Sequence, residues 1–289
     1  MPNDPTLPLG PDPSRFSALP PPPTPGVTPV RNSPALNLAW LAIGSIAAVV
    51  GLVFGTVQTV GLLAHEEHTE RITVSDPSVA VLDVATDDGR VEVIGADVDD
   101  VRITARISDG LVPTEFTHEV VGDRLQVRAR CVAVITGPWC EAKLRIVVPR
   151  GMEVKVRSED DPVLVRGLTG RVDAHSSNGS VEAQALSGAV QLGSSNGSVR
   201  AFRMRTPSIQ AGSGNGSVRL EFAEPPRSVI ADSDNGSVEV ALPRGDQGYD
   251  VDIASDNGGT DNLVRTDSTS GYRVVATSNN GSVTVRYLD

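Results

Sequence analysis

The chain repeats itself, and the repeat limits what it can become more than any other feature. The phrase Ser-Ser-Asn-Gly-Ser-Val occurs at 176–181 and again at 194–199. Aligning on its Asn-Gly pair gives six copies: Asn178-Gly179, Asn196-Gly197, Asn215-Gly216, Asn235-Gly236, Asn257-Gly258 and Asn280-Gly281, spaced by 18, 19, 20, 22 and 23 residues. Two positions before each asparagine stands a serine: Ser176, Ser194, Ser213, Ser233, Ser255 and Ser278. Four and six positions before stand small apolar residues, such as Ala174 and Val172 in the first copy. Three positions after stand Val181, Val199, Val218, Val238, Thr260 and Val283. Two degenerate copies extend the register upstream, one with Thr86 and Asp88-Gly89, the other with Ser158 and Asp160.

Alternation of apolar and polar slots is the period-2 signature of strands with one buried face. Asn-Gly tolerates positive φ, which predicts a tight turn, and Leu186-Ser187-Gly188 or Pro243-Arg244-Gly245 marks a second turn per unit. One unit cannot bury its own apolar face. Two architectures remain open, an antiparallel meander or sandwich and a β-solenoid whose equivalent residues stack about 4.8 Å apart. The same serine in every copy and the small Val/Ala slots favour the solenoid. The expected fold is therefore all-β, a parallel β-solenoid of the single-stranded β-helix kind. An irregular section at 97–149 is read as wider coils or a hairpin cap, and Tyr287-Leu288-Asp289 as the end of the last coil.

The solenoid does not fill the chain. Twelve of 21 prolines lie in residues 1–34, which predicts a disordered Pro-rich tail over 1–35. From Leu38 to Ala64 no residue is charged, 27 positions in all. About 20 apolar residues cross a bilayer, so residues 36–64 read as a transmembrane α-helix, with a cleaved secretory signal as the alternative. Arg15 and Arg31 before this run and Glu66-Glu67 after it predict a cytoplasmic N-terminus and an extracellular C-terminal domain. Gly51 and Gly55 form a weak helix-packing pair. A linker at 65–71 would then lead to the repeat domain at 72–289. The expected place is the plasma membrane, crossed once.

The net charge of −11 sits entirely after residue 64 and argues against nucleic acid as a partner. Cys131 and Cys140, eight residues intervening, read as a disulfide across a short loop, against the alternative of two unrelated thiols.

With the repeat laid out, strings such as LTGRVDAHSSNGSVEAQALSGAVQLGSSNGSV, led in by IVVPRGMEVKV, resemble the bacterial β-strand-repeat family labelled putative adhesin, a domain of unknown function. The resemblance covers roughly Ile72 to Asp289. It implies an envelope-associated β-solenoid and no reaction. Asp160-Asp161-Pro162 and Gly259-Thr260 depart from the family pattern.

Chemistry is sparse. His65 and His68 in HEEHTE lack the zincin spacing, and no nucleophile elbow, P-loop or dinucleotide fingerprint occurs. Turn acids such as those in SDNGS raise calcium, but the nine-residue spacing of calcium repeats is absent. Neither a catalytic residue, a cofactor nor a metal is expected. The leading expectation is a non-enzymatic, membrane-anchored envelope protein, its repeat domain meeting cell-wall or surface polymers or acting as a spacer. A second is a transmembrane sensor whose Pro-rich tail binds a cytoplasmic partner. The third and weakest, an envelope polysaccharide enzyme, would need acids from adjacent coils, with Asp232, Asp234 and Asp256 as the candidates.

Overall fold

The computed structural model describes residues 43–55, 66–109, 114–131 and 141–288. Residues 43–55 form one helix, α1, with exposed side chains. Among the described residues no helix is long and apolar enough to cross a membrane, so the spanning helix expected over 36–64 is not found. The tail at 1–35 and the flanks of that run lie outside the described residues.

The rest is β-structure. In chain order the strands are β1 (Glu66–Val74), β2 (Val81–Thr86), β3 (Val91–Ala96), β4 (Val101–Asp109), β5 (Glu115–Val121), β6 (Arg124–Arg130) and β7 (Glu141–Pro149). The repeats supply β8 (Glu153–Ser158), β9 (Val163–Arg166), β10 (Val172–Ser176), β11 (Val181–Gln184), β12 (Val190–Ser194), β13 (Val199–Met204) and β14 (Ser208–Ser213). They continue with β15 (Val218–Phe222), β16 (Ser228–Ser233), β17 (Val238–Leu242), β18 (Asp250–Ser255), β19 (Thr260–Asn262), β20 (Arg273–Ser278) and β21 (Val283–Tyr287).

These strands make two sheets. The first runs β1-β4-β7-β3-β9-β11-β13-β15-β17-β21-β19, the second β5-β6-β2-β8-β10-β12-β14-β16-β20-β18. Each repeat contributes one strand to each sheet, and neighbours of different repeats pair in parallel, as in a solenoid. Register follows the sequence slots: Val172 pairs with Val190, Val190 with Ile209, Ile209 with Val229, and Val181 with Val199. The inward side chains of both sheets join in one buried cluster, dominated by fully buried valines and alanines such as Val181, Ala183, Val199 and Ala211. Each fully buried valine contributes about 1.5–3 kcal/mol relative to exposure.

The layers do not follow chain order. The β20/β21 layer lies between β16/β17 and β18/β19, because β20 pairs with both β16 and β18, and β21 with both β17 and β19. The layer that ends the stack is thus the Asn257 copy, not the one closing at Tyr287 and Leu288 as the sequence suggested. Position accounts for its composition. With a partner on one side only, β19 is fully exposed, and Thr260-Asp261-Asn262 replace the apolar pattern with polar groups that water can satisfy. Such residues also discourage edge-to-edge pairing.

At the other end a similar exchange occurs. β2/β3 sits between β6/β7 and β8/β9. The irregular section is therefore part layer, through the parallel β6 and β7, and part antiparallel cover, in which β1 and β4 extend the first sheet and β5 the second. The segment 65–71, expected to be a linker, is instead mostly β1, paired with β4 from Glu66 to Val74. Cys131 is disulfide-bonded. Cys140, the only other cysteine, lies outside the described residues.

Candidate functional site

The repeated polar residues occupy one rim of the stack and bond to each other. Ser194 Oγ accepts from the Gly197 N–H of its own turn at 2.8 Å and donates to the Gly179 carbonyl of the next layer at 2.9 Å. Ser213 accepts from Gly216 and donates to Gly197. Ser176 accepts from Gly179 and donates to the Asp161 carbonyl. Ser233 and Ser278 donate to Gly216 and Gly236, and Ser255 to Gly281. The asparagine amides form a second, exposed ladder with one direction: Asn196 donates to Asn178, Asn215 to Asn196, Asn235 to Asn215, Asn280 to Asn235 and Asn257 to Asn280, at 2.7–3.0 Å. Asn178 donates at 2.6 Å to Asp160, whose acceptor-only carboxylate is the right group at the foot of the ladder.

The turn glycines are explained by contact. Positive φ among described glycines occurs only at Gly89, Gly122 and Gly167. A Cβ on Gly197 would instead run into the Gly179 carbonyl, and one on Gly216 into that of Gly197. The same holds for Gly236 on Gly216, Gly281 on Gly236 and Gly258 on Gly281. Positive φ at these pairs, the expected reason, is not the cause; close layer-to-layer approach is.

Acids gather on this rim near its upstream end. Burial, and then Asp160, Asp161, Asp87 and Glu159, push the Asp88 carboxyl above its ordinary range. Among the described residues no group of three or more His, Cys, Asp or Glu is arranged to hold a metal ion. His68 sits on β1, 3.4 Å from an Asp109 carboxylate oxygen, and His175 packs over Gly193. The three acids considered for hydrolysis do not come from adjacent layers. The 280 layer separates Asp234 from Asp256, and its Asn279 amide donates to Asp234 at 3.2 Å. Asp232 leans on Gly212, where partial desolvation, and then Asp234, raise its carboxyl although the residue as a whole is exposed.

The outer face of the first sheet has a different character. Its charges form ladders across the strands. Glu92 bridges Arg145 at 2.6 Å and Arg166 at 2.7 Å. Glu239 bridges Arg219 and Arg286, the latter at 2.8 Å. Burial would raise the Glu239 carboxyl, but the bonds from Arg286 and Arg219 outweigh it and hold it below the usual range. Between these two bridges lie β11 and β13. Arg200 and Phe202 are alternate residues of one strand and so share its outer face. No carboxylate among the described residues lies within ion-pairing distance of Arg200 or Arg203. Arg203 lies against the Gln184 side-chain amide, whose oxygen accepts from its guanidinium.

Backbone geometry places Arg203 in a corner column with positive φ. Gly167, Ala185 and Arg203 occupy one corner column, each just before a buried Leu168, Leu186 or Met204, with φ of 70°, 51° and 55°. That conformation is free for glycine and costs other residues roughly 1–2 kcal/mol. The next layer omits the corner residue, so Phe202 and Arg203 together face Glu221 alone, as in a β-bulge. Arg200, Ala201, Phe202, Arg203, Arg219 and Glu221 line a shallow concavity of about 490 Å³. The signal for this group in the sequence is Arg203 at a corner where another copy has Gly167.

No protein-family model matches the chain, and no curated protein does. Two solved structures are similar to it. One, from Clostridium sporogenes, is described as a putative cell adhesion protein; it is 10% identical, with a TM-score of 0.40 over 77% of this chain and 100% of the other. The second, from Bacteroides fragilis, is described as a putative adhesin; it is 14% identical, with a TM-score of 0.42 over 76% of this chain and 97% of the other.

Proposed function

We propose that the repeat domain is a closed parallel β-solenoid acting as a non-enzymatic scaffold of the cell envelope, which holds the outer face of its first sheet against envelope polymers. The observation that carries this reading is the use made of the repeated polar side chains. Serine, asparagine and glycine at every turn are engaged layer to layer, which is the chemistry of stacking. The uncharged run from Leu38 to Ala64 supports attachment to a plasma membrane on sequence alone, with the repeats outside. Retention on purified cell wall and on intact cells, at low and high salt, tests the proposal. A folded chain that neither retains would overturn it. A second reading, a sensor using the Pro-rich tail, is favoured if removing residues 1–34 abolishes a phenotype that the repeat domain alone cannot restore.

A further inference from the structure

We infer that Arg200, Phe202 and Arg203 form a binding site for an anionic polysaccharide, one carrying carboxylate or phosphate on its sugar rings. The inference rests on the envelope reading above and names the chemistry of its partner. Four observations converge on β13. The ion pairs of the first sheet stop on either side of it, leaving two exposed guanidinium groups with no ion pair, although Glu182 stands in register beside Arg200, in a chain whose net charge is −11. Arg203 keeps a left-handed backbone conformation that the same column gives to glycine two layers away and to Ala185 between them. Side chains held at such a cost cluster at ligand sites. Phe202 is half-buried between the arginines, an apolar surface on which a sugar ring can lie. These groups, with Glu221, open on one concavity.

Each group has a distinct task. A guanidinium presents a planar fork of donors that matches carboxylate or phosphate oxygens. Arg200 and Phe202 stand about 6.6 Å apart on one strand, enough to place an oxyanion over the first and a ring over the second. Glu221 repels an oxyanion but accepts from sugar hydroxyls, which favours a sugar bearing one charge over a bare phosphate chain. Arg219 is held by Glu239 and stays with the sheet.

The test uses the full chain in mild detergent on beads carrying polygalacturonate, phosphomannan or neutral dextran. Retention on either anionic polymer is expected, weakened by salt, and which one binds identifies the oxyanion. R200Q/R203Q should lower affinity at least tenfold and F202A at least threefold, while R102Q, on the same sheet, should leave it unchanged. Equal binding by R200Q/R203Q, equal retention on dextran, or no retention on either anionic polymer overturns the site. If R200Q/R203Q loses neither polymer nor cell-wall retention, this site falls and the envelope reading stands. If unmodified protein binds the anionic beads but not cell wall, the envelope reading falls and the site stands.

Discussion

Replacing Ser194 with alanine should be far more damaging than its size suggests. The side chain is 4% exposed and its hydroxyl makes two bonds, one within its turn and one to the next layer. Alanine leaves the Gly197 N–H and the Gly179 carbonyl facing each other's layers with no partner. A buried polar group without a partner costs about 1–3 kcal/mol, and part is recovered by relaxation, so a total of about 2–4 kcal/mol is expected. Folded domains have only about 5–15 kcal/mol in hand. Because each layer touches only its neighbours, the loss should also loosen those beside it. Ser255→Ala is the matched control. Its hydroxyl donates only to Gly281, on the terminal layer, where water can replace it, so a change under about 1 kcal/mol is expected. Urea unfolding followed by far-ultraviolet circular dichroism reads both. Equal shifts for the two variants, or a shift under about 0.5 kcal/mol for Ser194→Ala, would refute the reasoning.

Three further outcomes follow from the same geometry. Gly197→Ala drives a Cβ into the Gly179 backbone carbonyl and should lower the urea midpoint strongly, whereas Gly151→Ala, with open space around it, should leave it unchanged. Asp88→Asn should stabilise the fold at neutral pH, because a carboxyl whose folded pKa is raised weakens the native state while ionised; the gain should shrink as pH falls through that raised folded pKa and be gone below the ordinary aspartate value, as read by melting temperature against pH. A chain ending at Gly271 lacks β20 and β21, among the described residues the only sheet partners of β18 and β19, so amide exchange in both should become fast although those strands are still present.

Most of the slots were legible in the sequence. Val172, Val190, Ile209 and Val229 align in space as they do in the repeat, because an inward position two residues apart on every strand admits only apolar side chains. The order of layers was not legible. Asn257 and Asn280 read as consecutive copies, and only pairing between distant strands places the later one inside. A clue was present in Gly259-Thr260, whose loss of the Ser-Val pattern marks a layer with one neighbour. The role of glycine was misread for a related reason: Asn-Gly signals a turn in an isolated chain, while the carbonyl that excludes a Cβ belongs to another repeat. Arg200 and Arg203 escaped notice because charge content does not tell which arginines have found carboxylates.

The most direct test of the stacking on which the scaffold rests is a cross-link between layers. Ser237 and Ser282 are 45 residues apart, yet their hydroxyls lie 3.2 Å from each other. In the double variant Ser237→Cys/Ser282→Cys, mild oxidation should join the two positions rapidly, detected as a linked peptide after proteolysis and reversed by reductant. Were the layers stacked in chain order, the Asn257 layer would lie between these positions and separate them by about 9.6 Å, too far for a disulfide. Efficient linkage supports the inserted final layer; no linkage in folded protein contradicts it.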